Sequence, residues 1–435
     1  MRLNLLALLS IPLLTIACGD EDKESGDDGG DSGTADLPDY CDASTSSVDE
    51  NFCTLINEIN TDVTLTTDYT YGVRSGIFVG DGTTNNTITI EPGVQLLGEG
   101  TGFLAIQRNA SINAVGSAEQ PIVFTSGQLE GERGRSDWGG LIINGNAPIN
   151  NCYTPEGGEV ADCEATGEGD TGNYGGTDAG DSSGSLRYVR VEFGGTEISP
   201  TNEVNGIAFQ GVGSGTSVSY LQVHMNKDDG VEFYGGTVNA DHLVLTAIGD
   251  DSLDYTDGWT GTVTEVAIQH YAAQESDQGM EMDNADEGNA TPRSNPSISN
   301  VTIIGSDTSD IGMLIRAGTA ATYNNVAITG MGDGCIDIDD EATWDQVDAG
   351  NVTLSNAIVD CETNFIDGEV DDDGNPVDEG TSVEDWYNAG SNNVEGTLTP
   401  AGDNGWLMTN ADGDTVGAFS GGTDWTAGWT IYELN

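Results

Sequence analysis

Six copies of one short phrase decide how this chain folds: NGIAFQG from Asn205, DGVEFYG from Asp229, DSLDYTD from Asp251, QGMEMDN from Gln278, IGMLIRA from Ile311 and GCIDIDD from Gly334. Each is a turn residue followed by apolar, variable, apolar, the period-two signature of a short strand with one buried face. Between copies lies a second strand phrase: SYLQV from Ser219, DHLVL from Asp241, EVAIQ from Glu265, NVTII from Asn300 and NVAIT from Asn325. The inner residues Ile207, Val231, Leu253, Met280, Met313 and Ile336 recur at intervals of 24, 22, 27, 33 and 23 residues. A repeat of this length with two or three strands per unit is a solenoid, and the wider gaps are insertions.

A leucine-rich repeat would need an asparagine ladder and a leucine frame, and neither is present. The content is β-branched, with Gly and Asp at the corners and almost no helical periodicity. The chain therefore reads as all-β, a right-handed parallel β-helix in which each coil adds a rung of roughly 4.8 Å. The same alternation runs through TITIEPGVQLLGEG from Thr87 and FLAIQRNASINAVGSAEQPIVFTSG from Phe103. The β-helix is expected over residues 41–382, with a long excursion from the stack at about 151–183 that is rich in Gly, Asp and Glu. From Val383 the character changes: Trp386, Trp406, Trp425 and Trp429 fall within the last stretch. Solenoid ends expose apolar cross-section, so residues 383–435 are expected to form an aromatic-rich C-terminal cap.

The 435 residues carry 74 acidic against 11 basic side chains, a formal charge of -63. That field excludes nucleic acid and anionic membrane surfaces as partners and favours divalent cations and cationic ligands. Residues 1–17 place Arg2 before an apolar run too short to span a bilayer comfortably. The sequence TIAC ending at Cys18 resembles a bacterial lipobox, with Thr15 where Leu is usual. On that likeness Cys18 is acylated and anchors the chain to a membrane through N-terminal lipid only. Gly19 follows the cysteine, which points to the outer membrane. Residues 18–40, GDEDKESGDDGGDSGTADLPDY after the cysteine, are expected to be a disordered acidic tether. Six cysteines remain, and of fifteen connectivities the simplest pairs Cys41 with Cys53, Cys152 with Cys163 and Cys335 with Cys361. The last couple falls at different points of the repeat.

SDWGGLIINGNAPIN from Ser136, SLRYVRVEFGGTEISPTNEVNGIAFQGVGSGTSVSYLQV from Ser185, DGVEFYGGTVNA from Asp229 and GAFSGGTDWTAGWT from Gly417 resemble an uncharacterised family of exported β-helix lipoproteins and surface proteins of Gram-negative bacteria. The resemblance covers most of the chain from about Asn86 onward. It implies fold and cell-envelope location, and it brings no catalytic residues.

Aligning the coils places Glu232, Asp254, Glu281 and Asp337 in one outward row, interrupted by Leu314, and Asp229, Asp251, Asp310 and Asp333 in or beside one corner row. Carboxylates one rung apart repel by about 3 to 4 kcal/mol at an effective dielectric near 20. Corner amides, water, protonation or bound cations must relieve this, and oxygen-only ligands suit calcium. The candidate metal residues are Asp229, Asp251, Glu232, Asp254, Asp333 and Asp337. A partial calcium loop adds Glu369, Asp371 and Asp373, which precede Gly374 at the right spacing but lack the closing Glu. Arg316 faces Asp283 and Asp339 on the flanking coils. An ion pair with either or both is the plain reading, and a catalytic base of pectate-lyase type is the sharper one. His224, His242 and His270 fall at different repeat positions and suggest no shared cluster.

The expected function is a lipid-anchored surface module that binds carbohydrate or a cell-surface protein, calcium-dependent in the richest version. The alternative is a polygalacturonase-like glycosidase using Asp228, Asp250 and Asp251, because IGDDSLDY and NKDDGVEF bear some likeness to that family's paired aspartates and glycoside hydrolysis needs two carboxyl groups.

Overall fold

The period-two phrases lie side by side as strands of one parallel sheet, Leu141–Asn144, Ile207–Gln210, Val231–Tyr234, Leu253–Thr256, Met280–Met282, Ile311–Ile315 and Gly334–Ile338 being consecutive neighbours in it. The structure, a computed structural model, describes residues 37–152, 163–198, 203–285, 288–367, 382–401 and 405–434. The leader, Cys18, most of the acidic tether and the partial loop of Glu369, Asp371 and Asp373 lie outside the described residues. Register pairs Ile207 with Val231, Val231 with Leu253, Leu253 with Met280, Met280 with Met313 and Met313 with Ile336. One repeat is therefore one coil. All six side chains are buried, each on its counterpart in the next coil, and each contributes about 1.5–3 kcal/mol by leaving water.

The second phrase forms a longer element than its five letters suggest. Ser217–His224, Asn239–Thr246, Thr262–Gln269, Ser297–Ile304 and Ala321–Thr329 pair in parallel, and each bends at one residue of left-handed φ: Tyr220, His242, Glu265, Asn300 and Asn325. The bend divides the strand between two faces, so a coil has three. Left-handed backbone costs a non-glycine residue about 1–2 kcal/mol, least for Asn. The column offsets that cost along its length. Asn325 Nδ2 donates to Asn300 Oδ1 at 2.7 Å, Asn300 Nδ2 donates to Glu265 Oε1 at 2.8 Å, and the rings of Tyr188, Tyr220 and His242 stack with centroids 4.5 and 4.2 Å apart.

The C-terminal region divides in two, which corrects the expectation of a cap over 383–435. Helix α1 (Glu341–Asp348), N-capped by Asp340, and helix α2 (Val383–Ala389), N-capped by Ser382, bury Trp344, Val383 and Tyr387 in the main core; α2 lies against the last strands and closes the stack. Of Trp386, Trp406, Trp425 and Trp429, Trp386 alone joins Trp344 at that end. Trp406, Trp425 and Trp429 lie on a segment that doubles back along the outer flank of the bent strands. The reason is a run of outward residues that are small or apolar: Val244, Ala267, Thr302, Ala327 and Ile358 occupy successive rungs and are all buried under it.

Three disulfides join Cys41 to Cys53, Cys152 to Cys163 and Cys335 to Cys361. The third links neighbouring coils. The turn after Ile358–Asp360 carries Cys361 beneath Cys335, whose amide bonds to the carbonyl of Thr363. Closing a loop with a sequence separation of 26 residues stabilises by roughly 3 kcal/mol in the chain-entropy account. Replacing both Cys335 and Cys361 by Ala is expected to lower the urea midpoint accordingly, and an unchanged midpoint would show that the coil junction is held by packing alone. Thiol titration of the denatured, unreduced protein should find none of these six cysteines free.

Candidate functional site

The outward row on the sheet of short strands runs Phe78, Ala105, Ile142, Ala208, Glu232, Asp254, Glu281, Leu314, Asp337 and Ile366. Its first four members are apolar because the described part of the 151–183 excursion packs on them. Tyr174 meets Tyr234 edge to face, and Gln107 and Asn144 both donate to the carbonyl of Thr171. Where that cover ends, the row turns acidic.

Of the ways to relieve the acidic row, splaying into water is not the one most of it takes. Glu232, Asp254 and Asp337 are buried. Asn205, on the segment just before its strand, donates to Glu232 Oε2 at 2.5 Å and to the hydroxyl of Tyr234 at 3.0 Å. Asp254 Oδ1 is buried with no hydrogen-bond partner. At the far side Arg316 pairs with Asp283 at 3.1 Å and with Glu281. The ion pair thus engages Asp283 and Glu281, whereas Asp339 accepts the amide of Asp340. The bond to Glu281 was not legible from the alignment, because it reaches across to the first outward position.

The corner is two ladders and not one. In the inner ladder each side chain accepts the amide of the rung above: Asp229 Oδ1 from Asp251 at 3.0 Å, Asp251 Oδ1 from Gln278 at 2.9 Å, Gln278 Oε1 from Ile311 at 3.0 Å. In the outer ladder the backbones of Asp250, Asp277, Asp310 and Asp333 are bonded rung to rung, with Asp228 beside Asp250 at its start. Asp310 and Asp333 belong to the outer ladder, Asp229 and Asp251 to the inner. Ligand-type oxygens come within 4.8 Å of one another in three groups: Asp228, Asp229 and Asp250; Asp229, Glu232 and Asp254; Asp250, Asp251 and Asp277. Asp333 and Asp337 join none of the three. Asp277 was missed as a site residue, although DQGMEM places it one residue before Gln278, and Glu281, placed in the outward row, was left out of the candidate ligands and joins none of the three groups.

Burial dominates the electrostatics of these carboxylates. It pushes Asp229, Asp251 and Asp254 well above the ordinary carboxylate range, helped by Asp254, Asp229 and Glu281 respectively. Burial and then Asp283 push Glu281 up to about 7 against the opposing charge of Arg316. Burial and then a carboxyl hydrogen bond with Asp310 push Asp277 up to about 7. Burial works against Arg316, yet Asp283 and Glu281 raise it. The histidines stay apart: His224 contacts the C-terminal segment, His242 lies in the bend column and His270 Nε2 meets Ser252 Oγ at 2.9 Å.

The donor set is carboxylate oxygen only, closely grouped, with one buried oxygen lacking a bond. That is the chemistry of a hard divalent cation, and calcium tolerates such irregular oxygen sets better than magnesium. As glycosidase machinery the same residues fit poorly. Asp251 is 6% exposed, and its Oδ1 already accepts an amide. Among the described residues no helix is long and apolar enough to cross a membrane. A family model described as a pectate-lyase-like beta helix domain matches residues 57–430. Neither a curated protein nor a solved structure matches the chain.

Proposed function

The chain belongs to the pectate-lyase-like β-helix family, and on that footing we propose that it is a surface-binding module of the cell envelope, held to the outer membrane by lipid on Cys18 and braced by calcium on its acidic face. It acts by contact and not by turnover. The observation that carries the calcium reading is the buried group Asp229, Glu232 and Asp254, whose oxygens lie within 4.8 Å of one another while Asp254 Oδ1 has no hydrogen bond. Three carboxylates so placed cannot all ionise without a counter-charge. Asp229, Glu232 and Asp254 would hold the ion, and Asp228, Asp250, Asp251 and Asp277 offer a second place on the corner. The bound ion supplies positive charge that keeps the neighbouring coils together.

Asp254→Asn tests this directly. The variant keeps the shape of the side chain and removes one buried ionisation. It is expected to melt higher than the parent in EDTA at pH 8 and to gain less from added calcium. A variant that melts lower in EDTA and gains as much as the parent would remove Asp254 from any ion site. The glycosidase alternative predicts release of reducing ends from polygalacturonate, abolished by Asp251→Asn; the binding reading predicts none from the parent protein. Palmitate labelling of the expressed protein, lost on Cys18→Ser, tests the anchor.

A further inference from the structure

The first limb of the bent strands, before the left-handed residue, presents a face unlike the rest of this acidic molecule. Its outer row is Ser217, Asn239, Thr262, Ser297, Thr322 and Thr353, each exposed. The row beside it, on the same rungs, is Ser219, Asp241, Thr264, Ser299, Asn324 and Ser355, each half-buried. Parallel pairing holds both rows in register through six coils. Eleven of these twelve side chains are hydroxyls or amides. The one acid, Asp241, is engaged with His242.

Three observations select the occupant. Charge comes first: a chain of net charge -63 repels polyanions and would take polycations on its acidic corner, whereas this face is close to neutral. Second, hydroxyl groups donate and accept, so they meet sugar hydroxyls in either role. Thr side chains are stiff at χ1, so little freedom is lost on contact. Third, the face has a trough. Ser214, Gly215 and Thr216 form one wall beside Ser217, Asn239 and Thr262. The next flank is already filled by the chain's own C-terminal segment, which meets the bend column at His242 through Trp425. Six rungs at about 4.8 Å give a strip of roughly 24 Å, long enough for several sugar units laid along the axis.

We propose that this strip binds an uncharged polysaccharide running parallel to the helix axis. The proposal rests on the reading of the protein as a surface-binding module and names its ligand class. Full-length protein in detergent, incubated with microcrystalline cellulose, an insoluble β-1,3-glucan and an insoluble mannan, is expected to be depleted from solution by at least one of them, in calcium and in EDTA alike. Thr262→Glu combined with Thr322→Glu, and separately Asn239→Lys, are expected to weaken that retention at least tenfold. Leu129→Glu, on an exposed loop away from the strip, should not. Melting curves that overlay the parent's show the variants are folded, and the two charge signs separate blocked contact from charge repulsion. No retention on any of the three, retention unaffected by the variants, retention on pectate only, or pairing of two copies through this face in light scattering would each overturn the proposal. If calcium still raises the melting temperature while no neutral glycan is held, the strip has failed and the calcium-braced module has not. Glycan retention without any calcium response would keep the strip and remove the calcium brace.

Discussion

Stripped of divalent cations, the protein is expected to be least stable in mildly alkaline buffer and to gain stability as the pH falls from about 8 to about 5. This is the opposite of ordinary acid denaturation. Most native carboxylates have lowered pKa values and lose stability on protonation. Here Asp277 and Glu281 are raised to about 7, above the roughly 4 of an unfolded carboxyl group. Between those values the folded chain binds more protons than the unfolded one, so stability falls as pH rises through the window. Asp229, Asp251 and Asp254, raised well above the normal range, add to the slope in the same direction. Calcium at 100 times its dissociation constant should supply about 2.7 kcal/mol per site and raise the melting temperature by about 3 °C for each site. It should also flatten the pH slope, because the ion replaces the proton as counter-charge. Thermal melts over this pH range with EDTA and with millimolar calcium test both parts. A melting temperature that climbs with pH in EDTA, or one that ignores calcium, would count against the cation site.

Trp429→Ala is expected to be the most damaging single change on the flank, at about 3–5 kcal/mol for a fully buried tryptophan. Its ring is 1% exposed and meets Tyr188 and Tyr220 edge to face at 5.6 and 6.0 Å, and its carbonyl accepts Arg190 at 2.9 Å. The segment around it is docked by side chains that imitate a strand partner. Gln222 both donates to and accepts from the backbone of Ile431, and His224 Nε2 bonds to the carbonyl of Glu433 at 2.8 Å. With the tryptophan gone, the segment should release locally before the coils unfold. Limited proteolysis should then cut within residues 405–434, and a dye that reports apolar surface should bind Val244, Ala267 and Ala327 once uncovered. Equal protease resistance in the variant would mean that the polar docking bonds are sufficient.

Much of this architecture was legible because a solenoid turns sequence spacing into spatial adjacency. The intervals between Ile207 and Ile336 gave the rungs, and the row from Glu232 to Asp337 follows from register alone. The flank was missed although its signal was present. In DHLVL, EVAIQ and NVAIT the middle outward letter is Val or Ala where a solvated strand would carry a polar residue. Such a position announces a cover, without saying which segment provides it. The C-terminal tryptophans were accordingly assigned to the end of the stack, where apolar cross-section is also exposed.

Alternation, corner residues and repeat length determined by themselves that this chain winds as parallel coils, which side chains form the core, and that carboxylates stand in columns. They could do so because those relations are local and recur once per coil. Only the tertiary structure decided that the columns are buried, that the corner is two ladders, and that the last thirty or so residues return along the flank. Burial depends on segments that leave the repeat and come back from far along the chain, and no period records where they land.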